Sequence, residues 1–282
     1  MLRPCHPGYV SVVSDFLLAH EELWTALTDR LFFKGRLRTS RKLEDLYLLE
    51  GSQGLRGLIY HESAGFTFPA VIPPLDTVDV NALGEALRSF GKITTLMGNS
   101  RVIDVCTAAV GRAPAYRVDY LHMVRPCRAG CFSAENPVPR EIYEHLKPGQ
   151  VREVYPLQRA YEIEEVLLEP EKFNPLICMN HLREALKKQQ IYGTRINGSL
   201  AAKAGTNALG VNWVQLGGIF TLPGFRGRGV ARRLMARLLE NLDEQGLGST
   251  LFVKPDNIPA VSLYRRVGFT DTGPFSIAYY LR

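Results

Sequence analysis

The sequence predicts an α/β protein with mixed α+β sheets, organised as two domains of similar element order. A chain of 282 residues is long for one α/β domain, whereas two domains of about 140 residues each have an ordinary size. Over Gly217–Ala231 an apolar strand runs through a turn rich in glycine and arginine straight into a strongly periodic helix. The order helix, strands, helix, strand, helix, strand over residues 9–124 recurs in the second half. We therefore expect domains at 1–125 and 150–282, joined by a proline-rich linker at 126–149.

The composition is that of an ordinary globular protein. Hydrophobic residues make up 46% of the chain, which is enough for a core in each half. The formal net charge of +6 attracts anions in general, but it is too small and too dispersed to indicate a nucleic-acid partner. No apolar run reaches about 18 residues, so no membrane association through a spanning helix is expected.

Cysteine usage and the N-terminus indicate a cytoplasmic protein. The first residues lack the apolar core of a signal peptide. Five cysteines, an odd and scattered set, are typical of reduced thiols rather than of a disulfide framework. Cys127 and Cys131 have the spacing of half a metal site, but no second ligand pair lies nearby in the sequence, so no metal is expected.

In the first half, hydrophobic periodicity and turn residues divide the chain into alternating elements. Apolar residues at helical spacing predict a helix over Tyr9–Phe33. Pro69, Pro73 and Pro74 should interrupt regular structure, and a helix capped by Asp79 should follow and stop near Gly91. The other expected elements are strands at Tyr47–Glu50, Leu55–Tyr60, Gly65–Pro69 and Ile93–Met97, a helix between Ser100 and Gly111, and a strand at Tyr116–Val124.

In the second half, two features are especially clear. Asn197-Gly198 is the strongest short hairpin signal and should join strands Ile191–Ile196 and Ser199–Gly205. The helix Val230–Leu242 has apolar residues at every helical repeat, and Gly246 should end it. The remaining expected elements are a strand at Val151–Tyr155, helices at Tyr161–Leu168 and Asn174–Gln190, strands at Val211–Leu222 and Thr250–Lys254, a helix at Asn257–Val267 and a strand at Ile277–Leu281.

The turn Gly224–Gly229 has the character of an anion cradle. A strand, a glycine-rich turn and a helix N-terminus together present backbone N–H groups to one concavity, which favours a pyrophosphate. Glycine suits this turn because it has no Cβ and takes positive φ freely. No Gly-Lys-(Ser/Thr) follows, which excludes a Walker loop, and Arg232 stands where a dinucleotide fingerprint needs Gly or Ala.

Two segments carry a family resemblance. Arg226–Ala231 (Arg-Gly-Arg-Gly-Val-Ala) is similar to the (Arg/Gln)-x-x-Gly-x-(Gly/Ala) signature of the GCN5-related N-acetyltransferases, the acetyl-CoA-dependent GNAT family. Asn257–Phe269 resembles that family's second signature, Asn-x-x-Ala-x-x-Leu-Tyr-x-x-x-Gly-Phe. The predicted order βααβββαβαβ from Val151 is also that of the family. The first half repeats this order with prolines in place of the glycine loop, so the chain resembles a tandem GNAT protein with a degenerate N-terminal half.

The resemblance implies a site for acetyl-CoA. Gly217-Gly218 suits the bulge at which the central strand splays from its parallel neighbour, leaving backbone groups to pair with pantetheine. Tyr264 is expected to act as general acid on the leaving thiolate, and an N–H near Phe220 to stabilise the oxyanion. The implied cofactor-binding residues are Ile219, Phe220, Thr221, Leu222, Arg226, Gly227, Arg228, Gly229, Val230, Ala231, Arg232, Asn257, Ala260 and Tyr264.

The general base is left open by the sequence. Members of the family often place an acidic side chain on the central strand, but here that strand offers Asn212, Gln215 and Thr221. Acidic and histidine candidates lie instead on the two preceding helices, at Glu164, Glu165, His181 and Glu184.

Two functions fit these residues. The first is direct transfer of an acetyl group from acetyl-CoA to a primary amine, on a small molecule or on a protein N-terminus or lysine. The alternative is a CoA-binding regulatory module without catalysis, for which the missing strand carboxylate is the support. The degenerate half could also recruit substrate or dimerise, so both a monomer and a homodimer are open.

Overall fold

The computed structural model describes residues 2–38, 44–51, 54–128 and 140–280. The chain forms two compact units. The first contains Met1–Met123, Phe252–Ile258 and Asp271–Arg282, and the second contains Val124–Leu251 and Pro259–Thr270. This division differs from two contiguous domains because the last strand of the chain pairs with strands of the first half.

The first half of the sequence alternates short helices and strands. Its helices and strands are β1 (Leu2–Pro4), α1 (Val10–Ala19), α2 (Thr25–Leu31), β2 (Phe32–Phe33), β3 (Arg36–Leu37), β4 (Leu46–Gly51), β5 (Gly54–His61), β6 (Phe66–Val71), α3 (Thr77–Ser89), β7 (Thr95–Asn99), α4 (Ser100–Val110) and β8 (Tyr116–Arg125).

The second half follows the same plan. Its elements are β9 (Glu141–His145), α5 (Val151–Tyr161), α6 (Pro175–Lys188), β10 (Ile191–Ile196), β11 (Ser199–Leu209), β12 (Trp213–Thr221), α7 (Val230–Glu244), β13 (Gly248–Val253), α8 (Ile258–Arg266) and β14 (Thr270–Tyr279). With the small β2–β3 hairpin set aside, each half reads βααβββαβαβ, so the recurrence of element order is confirmed.

In the first unit the strand order is β1-β4-β5-β6-β7-β14-β8. The strand β14 runs antiparallel to β7, from Phe275 opposite Asn99 to Tyr279 opposite Thr95. The helices α3 and α4 cover one face of this sheet and bury an apolar core against it. Its fully buried members include Ile59, Leu83, Ala86, Leu96, Val102, Ile103, Cys106 and Ala278.

In the second unit the strand order is β13-β12-β11-β10-β9. The predicted hairpin between β10 and β11 is confirmed, and Asn197 and Gly198 take positive φ values of 50° and 83°. The helices α5 and α6 pack on one face of the sheet through a cluster that includes Val154, Leu157, Leu182, Leu186 and Phe220. Across the described ranges, no helix combines the length and the apolar character needed to cross a bilayer.

Two predictions at the start of the second half are wrong. Val151–Tyr155 is helical, and the first strand lies instead at Glu141–His145, inside the predicted linker. The β-branched valines favoured a strand locally, but Val154 and Leu157 are spaced to meet the sheet from one helix face, and packing outweighs propensity. Within the expected helix Tyr161–Leu168, α5 ends at Tyr161 and a π-helical turn covers Glu162–Val166.

Three predictions in the first half also need correction. The helix expected over Tyr9–Phe33 is broken after Ala19, where the Trp24 indole donates to the carbonyl of Leu17 (2.9 Å) and occupies an acceptor that a continuous helix would use. Pro69 lies inside β6 rather than ending it, beyond the last β6–β7 pair at Thr67. Asp76, not Asp79, is the N-cap of α3, and Asp79 completes the capping box.

Parts of two predicted elements lie outside the described residues. These are residues 129–139 of the predicted linker and Leu281 at the end of the predicted last strand.

Candidate active site

The candidate site begins where β12 leaves its parallel neighbour. The β12–β13 ladder ends at Leu216 opposite Leu251, so Gly217–Thr221 extends past the last pair. Against β11, the register steps from Gly205 opposite Gly217 to Lys203 opposite Phe220, which inserts one extra residue into β12. The predicted bulge and splay are therefore confirmed.

Both glycines of the bulge are required by its geometry. Gly218 has φ +61°, in the left-handed region that glycine favours. A Cβ on Gly217 would collide with the side-chain amide of Asn207, which lies on a second irregularity in β11.

A buried lysine that sequence reasoning missed lies against this bulge. Lys203 is only 3% exposed, and its Nζ donates to the carbonyl oxygen of Gly218 at 2.7 Å. The same Nζ lies 4.4 Å from the centre of the Tyr161 ring. Burial lowers the pKa of Lys203 to about 7, and the negative charge of Glu162 opposes that shift. The signal in the sequence was a single lysine inside the apolar run Ala201–Ala204.

The glycine turn after β12 has the form of an anion cradle. Gly227 and Gly229 have φ values of +73° and +72°, and α7 begins at Val230. The N-cap is Gly229, so no side-chain acceptor caps the first-turn N–H groups of this helix, and the Arg233 guanidinium lies beside the turn, donating to the carbonyl of Arg228 at 3.1 Å. A Cβ placed on Gly224 or Gly227 would meet nothing within 4 Å, so the turn is open on that side. These features fit a pyrophosphate held by backbone amides.

Two of the arginines around the turn are already paired with carboxylates. Arg226 donates to Glu164 (2.9 Å) and to the carbonyl of Thr221 (3.0 Å), and its guanidinium lies 5.2 Å from the Phe220 ring centre. Arg233 donates to Glu141 at 2.7 Å with both side chains mostly buried. Much of the charge of these two side chains is therefore compensated within the protein.

Tyr264 lies on α8 in a buried position, with 7% of its surface exposed. Its ring packs edge-on against Phe269 at 6.1 Å between centres. Burial raises the pKa of Tyr264, and the nearby Tyr161 and Glu165 raise it further. The phenol therefore keeps its proton at neutral pH and is available as a donor. Tyr161 in turn packs edge-on against Phe220, at 6.0 Å.

The four candidate bases do not form one cluster. Glu164 is paired with Arg226, and exposed Glu184 is paired with Lys187 (2.8 Å), which lowers the pKa of its carboxyl group. His181 is exposed on α6. Glu165 is the candidate whose charge acts on both Tyr161 and Tyr264.

The second signature is divided between the two units. Ala260 and Tyr264 belong to the second unit, and Asn257 to the first. The Asn257 N–H donates to the carbonyl of Lys254 at 3.1 Å, one residue before α8 begins. Its contact with pantetheine stays a prediction.

A metal site finds no structural support in the described parts of the chain, where no group of three or more His, Cys, Asp or Glu side chains is arranged to hold an ion. The Cys127 thiol donates to the carbonyl of Asp243 at 3.6 Å, and Cys131 lies outside the described residues.

The second half of the chain is similar in sequence to known proteins. A family model described as "Acetyltransferase (GNAT) family" matches residues 153–269. The chain is 34% identical over 120 residues to the N-alpha-acetyltransferase RimI of Mycobacterium tuberculosis (strain ATCC 25618 / H37Rv), a match that spans 41% of this chain and 73% of that protein.

Two solved structures resemble the fold at low identity. An X-ray structure of a Drosophila protein superimposes with a TM-score of 0.66 at 15% identity, over 99% of this chain and 98% of that one. A tandem GNAT protein from the clavulanic acid biosynthesis pathway does so with a TM-score of 0.52 at 11% identity, over 83% and 82%. These two likenesses concern the fold alone, whereas the RimI relationship, together with the matched segment, shows that the chain belongs to the GNAT family of acetyltransferases.

Proposed function

We propose that the protein transfers an acetyl group from acetyl-CoA directly to a primary amine while both substrates are bound. The observation that carries this proposal is the continuity of three features in the second unit. The splayed end of β12, the open glycine turn and the uncapped start of α7 follow one another along Gly217–Ala231. Such a run offers strand-type pairing to an extended chain and amides to a diphosphate.

Acetyl-CoA would supply the activated acyl group as a thioester. The amides of Arg226–Ala231 are the proposed holders of its pyrophosphate, and the free edge of Ile219–Leu222 the holder of its pantetheine arm. An N–H near Phe220 is the proposed donor that stabilises the developing oxyanion. The Tyr264 hydroxyl donates a proton to the departing sulfur. No covalent acyl-enzyme is proposed, since none of the cysteines lies in either signature segment.

The alternative is a CoA-binding module without catalysis. Its support is the absence of an acidic side chain from β12, whose sequence is Trp-Val-Gln-Leu-Gly-Gly-Ile-Phe-Thr. Tyr264 favours the enzyme, because this phenol on α8 occupies the tyrosine position of the second signature and can serve as a proton donor.

The test is turnover over a panel of primary amines, together with calorimetry of acetyl-CoA binding, for the wild type and Tyr264→Phe. We expect the variant to lose about 100-fold or more in kcat, because the leaving thiolate loses its proton donor. Its Kd for acetyl-CoA should stay within about twofold.

Tyr60→Phe is the control, because it removes a phenol of the first unit that donates to Glu62. It should leave kcat unchanged. Binding of acetyl-CoA by the wild type without transfer to any amine would support the module instead.

A further inference from the structure

The bulge in β12 creates a backbone group that the sheet does not satisfy. At Gly218 the chain takes φ +61°, so its carbonyl turns out of the β11–β12 ladder. A buried carbonyl without a hydrogen-bond partner destabilises the folded state, so another group must donate a hydrogen bond to it. Here that group is the Lys203 ammonium, at 2.7 Å.

Burying a charged lysine at this position is energetically unfavourable, because the ammonium loses its hydration. Ala201, which shares its face of β11, is fully buried, and an apolar side chain at 203 would be compatible with such burial. The charge instead rests on the Tyr161 ring face, 4.4 Å away, with Glu162 from the π-helical turn and Cys178 from α6 as its electrostatic neighbours. A buried cation that packing does not need is an indication of a functional role.

The peptide that Lys203 holds is also the one that opens the splayed edge. In a trans peptide the N–H lies opposite the C=O, so fixing the Gly218 carbonyl fixes the direction of the Ile219 N–H. Gly218 and Ile219 together stand opposite Ala204, so Ile219 is the second residue of the bulge, and the orientation of this peptide sets where the segment to Thr221 begins. A charged donor on the carbonyl also polarises that peptide and strengthens its N–H as a donor.

We propose that Lys203 is a positioning residue that locks the Gly218–Ile219 peptide, and thereby aligns the splayed edge of β12 for the acyl donor. This inference rests on the proposed acetyltransferase function, but its structural part can be tested without turnover. The role is that of a support, since Lys203 reaches the backbone of β12 and not the reacting atoms.

The first experiment is amide hydrogen exchange with mass spectrometry on the whole chain, comparing the wild type with Lys203→Met. Methionine keeps the length and packing of the side chain and removes the donor. Exchange in peptides covering Gly217–Leu222 should rise at least several-fold, while exchange in α7 and β10 stays unchanged. Lys187→Met on the exposed face of α6 is the matched control and should alter neither region.

The second experiment is kinetic. In Lys203→Met, kcat should fall about 10- to 100-fold, because a displaced edge no longer meets the thioester correctly. The Kd for CoA should change little, since the glycine turn remains intact. Lys203→Gln restores a neutral donor and should recover part of the kcat, which also decides the question if Lys203→Met fails to fold.

The third readout is the pH dependence of the ratio of wild-type kcat to Lys203→Gln kcat. The wild-type ammonium loses its proton near pH 7, where its charged hydrogen bond to Gly218 weakens. The ratio should therefore be larger below pH 7 and fall above it.

The possible outcomes separate the two proposals. Unchanged exchange over Gly217–Leu222 in Lys203→Met overturns the positioning role whatever the activity. A rise in that exchange in Lys203→Met, combined with a wild type that binds acetyl-CoA but shows no transfer, supports the positioning role and overturns the proposed reaction. A flat pH ratio with full activity in Lys203→Gln overturns the need for a charged donor.

Discussion

In the first unit the chain passes from β6 to α3 through Pro73 and Pro74, and the helix begins at Thr77 with Asp76 as its N-cap. In the second unit it passes from β12 to α7 through Gly227 and Gly229, and the helix begins with no capping side chain. The two junctions occupy the same place in a repeated element order, yet their helix N-termini are satisfied in different ways.

At α3 the helix carries its own anion. The Asp76 carboxylate accepts from the N–H groups of Val78 (2.8 Å) and Asp79 (2.9 Å), and Asp79 accepts from the N–H of Asp76 (3.1 Å). Arg56 pairs with both carboxylates. A phosphate at this helix would meet two negative charges and few available donors. The comparison teaches that one topology can bind an external anion or replace it with a side chain.

The two units also differ in the space beyond the point where their parallel strands separate. In the first unit the β6–β7 ladder ends at Thr67 opposite Leu96, but aromatic and proline side chains fill the space beyond it. The remaining cavity, lined in part by Trp24, Phe68 and Pro69, has a volume of about 40 Å³. That is room for about three water molecules, which is too little for a pantetheine arm.

The helices that follow the splay differ in chemistry as well. Tyr264 is the seventh residue of α8, and the seventh residue of α4 is Cys106. Cys106 is fully buried, and its surroundings raise the pKa of its thiol to about 12. The first unit thus repeats the element order of the second unit without its glycine turn and without a tyrosine at the position of Tyr264.

The largest effect that we expect is on the free energy of unfolding, and it concerns a buried ion pair of the second unit. Asp243, in the last turn of α7, forms a buried two-point pair with Arg125 (2.8 and 2.6 Å), whereas the Arg56 side chain that pairs at α3 is 39% exposed. Asp243→Asn leaves the Arg125 charge buried without its counter-charge and should lower the free energy of unfolding by about 3 kcal/mol. Urea denaturation measures this, and the double variant Asp243→Leu with Arg125→Met should recover most of the loss.

The same pair sets a pH dependence. Burial alone would raise the pKa of Asp243, but hydrogen bonds from Arg125 and the Arg128 N–H hold it below its usual value. A lowered folded pKa adds stability above the unfolded pKa of about 4, and this is lost as pH falls through the folded value. The difference in stability between wild type and Asp243→Asn should therefore shrink below about pH 4. A difference that is constant from pH 3 to pH 7 would contradict the pairing.

A smaller effect should distinguish the glycine turn of the second unit from a glycine turn of the first unit, between β2 and β3, by CoA binding. Gly227→Ala and Gly35→Ala are matched, since each glycine has φ +73° and space for a Cβ with nothing within 4 Å. Both carry the same backbone strain, but only Gly227 lies in the cradle. Calorimetry should show the Kd for CoA rising about 10-fold or more for Gly227→Ala and unchanged for Gly35→Ala. Equal affinities in the two variants would remove the cradle from the site.

The smallest effect concerns the capped helix of the first unit. Asp76→Ala removes the cap of α3 and should lower the Tm by about 2–4 °C. Asp15→Ala, which removes an exposed carboxylate of α1 without a capping role, should leave the Tm unchanged. The stoichiometry of CoA should stay at one per chain in both variants, because the filled slot of the first unit still excludes the pantetheine arm. Two CoA molecules bound to Asp76→Ala would show that the cap alone blocks a second site.

Local sequence was sufficient wherever the cause of the structure is itself local. The apolar repeat of α7 and the Asn197-Gly198 turn act within a few residues, and both were predictable. The bulge at Gly217-Gly218 was readable for the same reason, since its positive φ requires glycine. Where distant contacts compete with local preference, as at Val151–Tyr155, prediction failed.

The sequence by itself determined the repeated element order, the glycine turn and the family to which the chain belongs. Only the tertiary structure decided that the last strand joins the first unit, that Arg226 and Arg233 are paired with Glu164 and Glu141, and that Lys203 lies buried against Gly218. The reason is physical. Backbone conformation at a glycine or an amphipathic repeat depends on neighbours in the chain, whereas burial and charge pairing depend on groups that folding brings together from far along it.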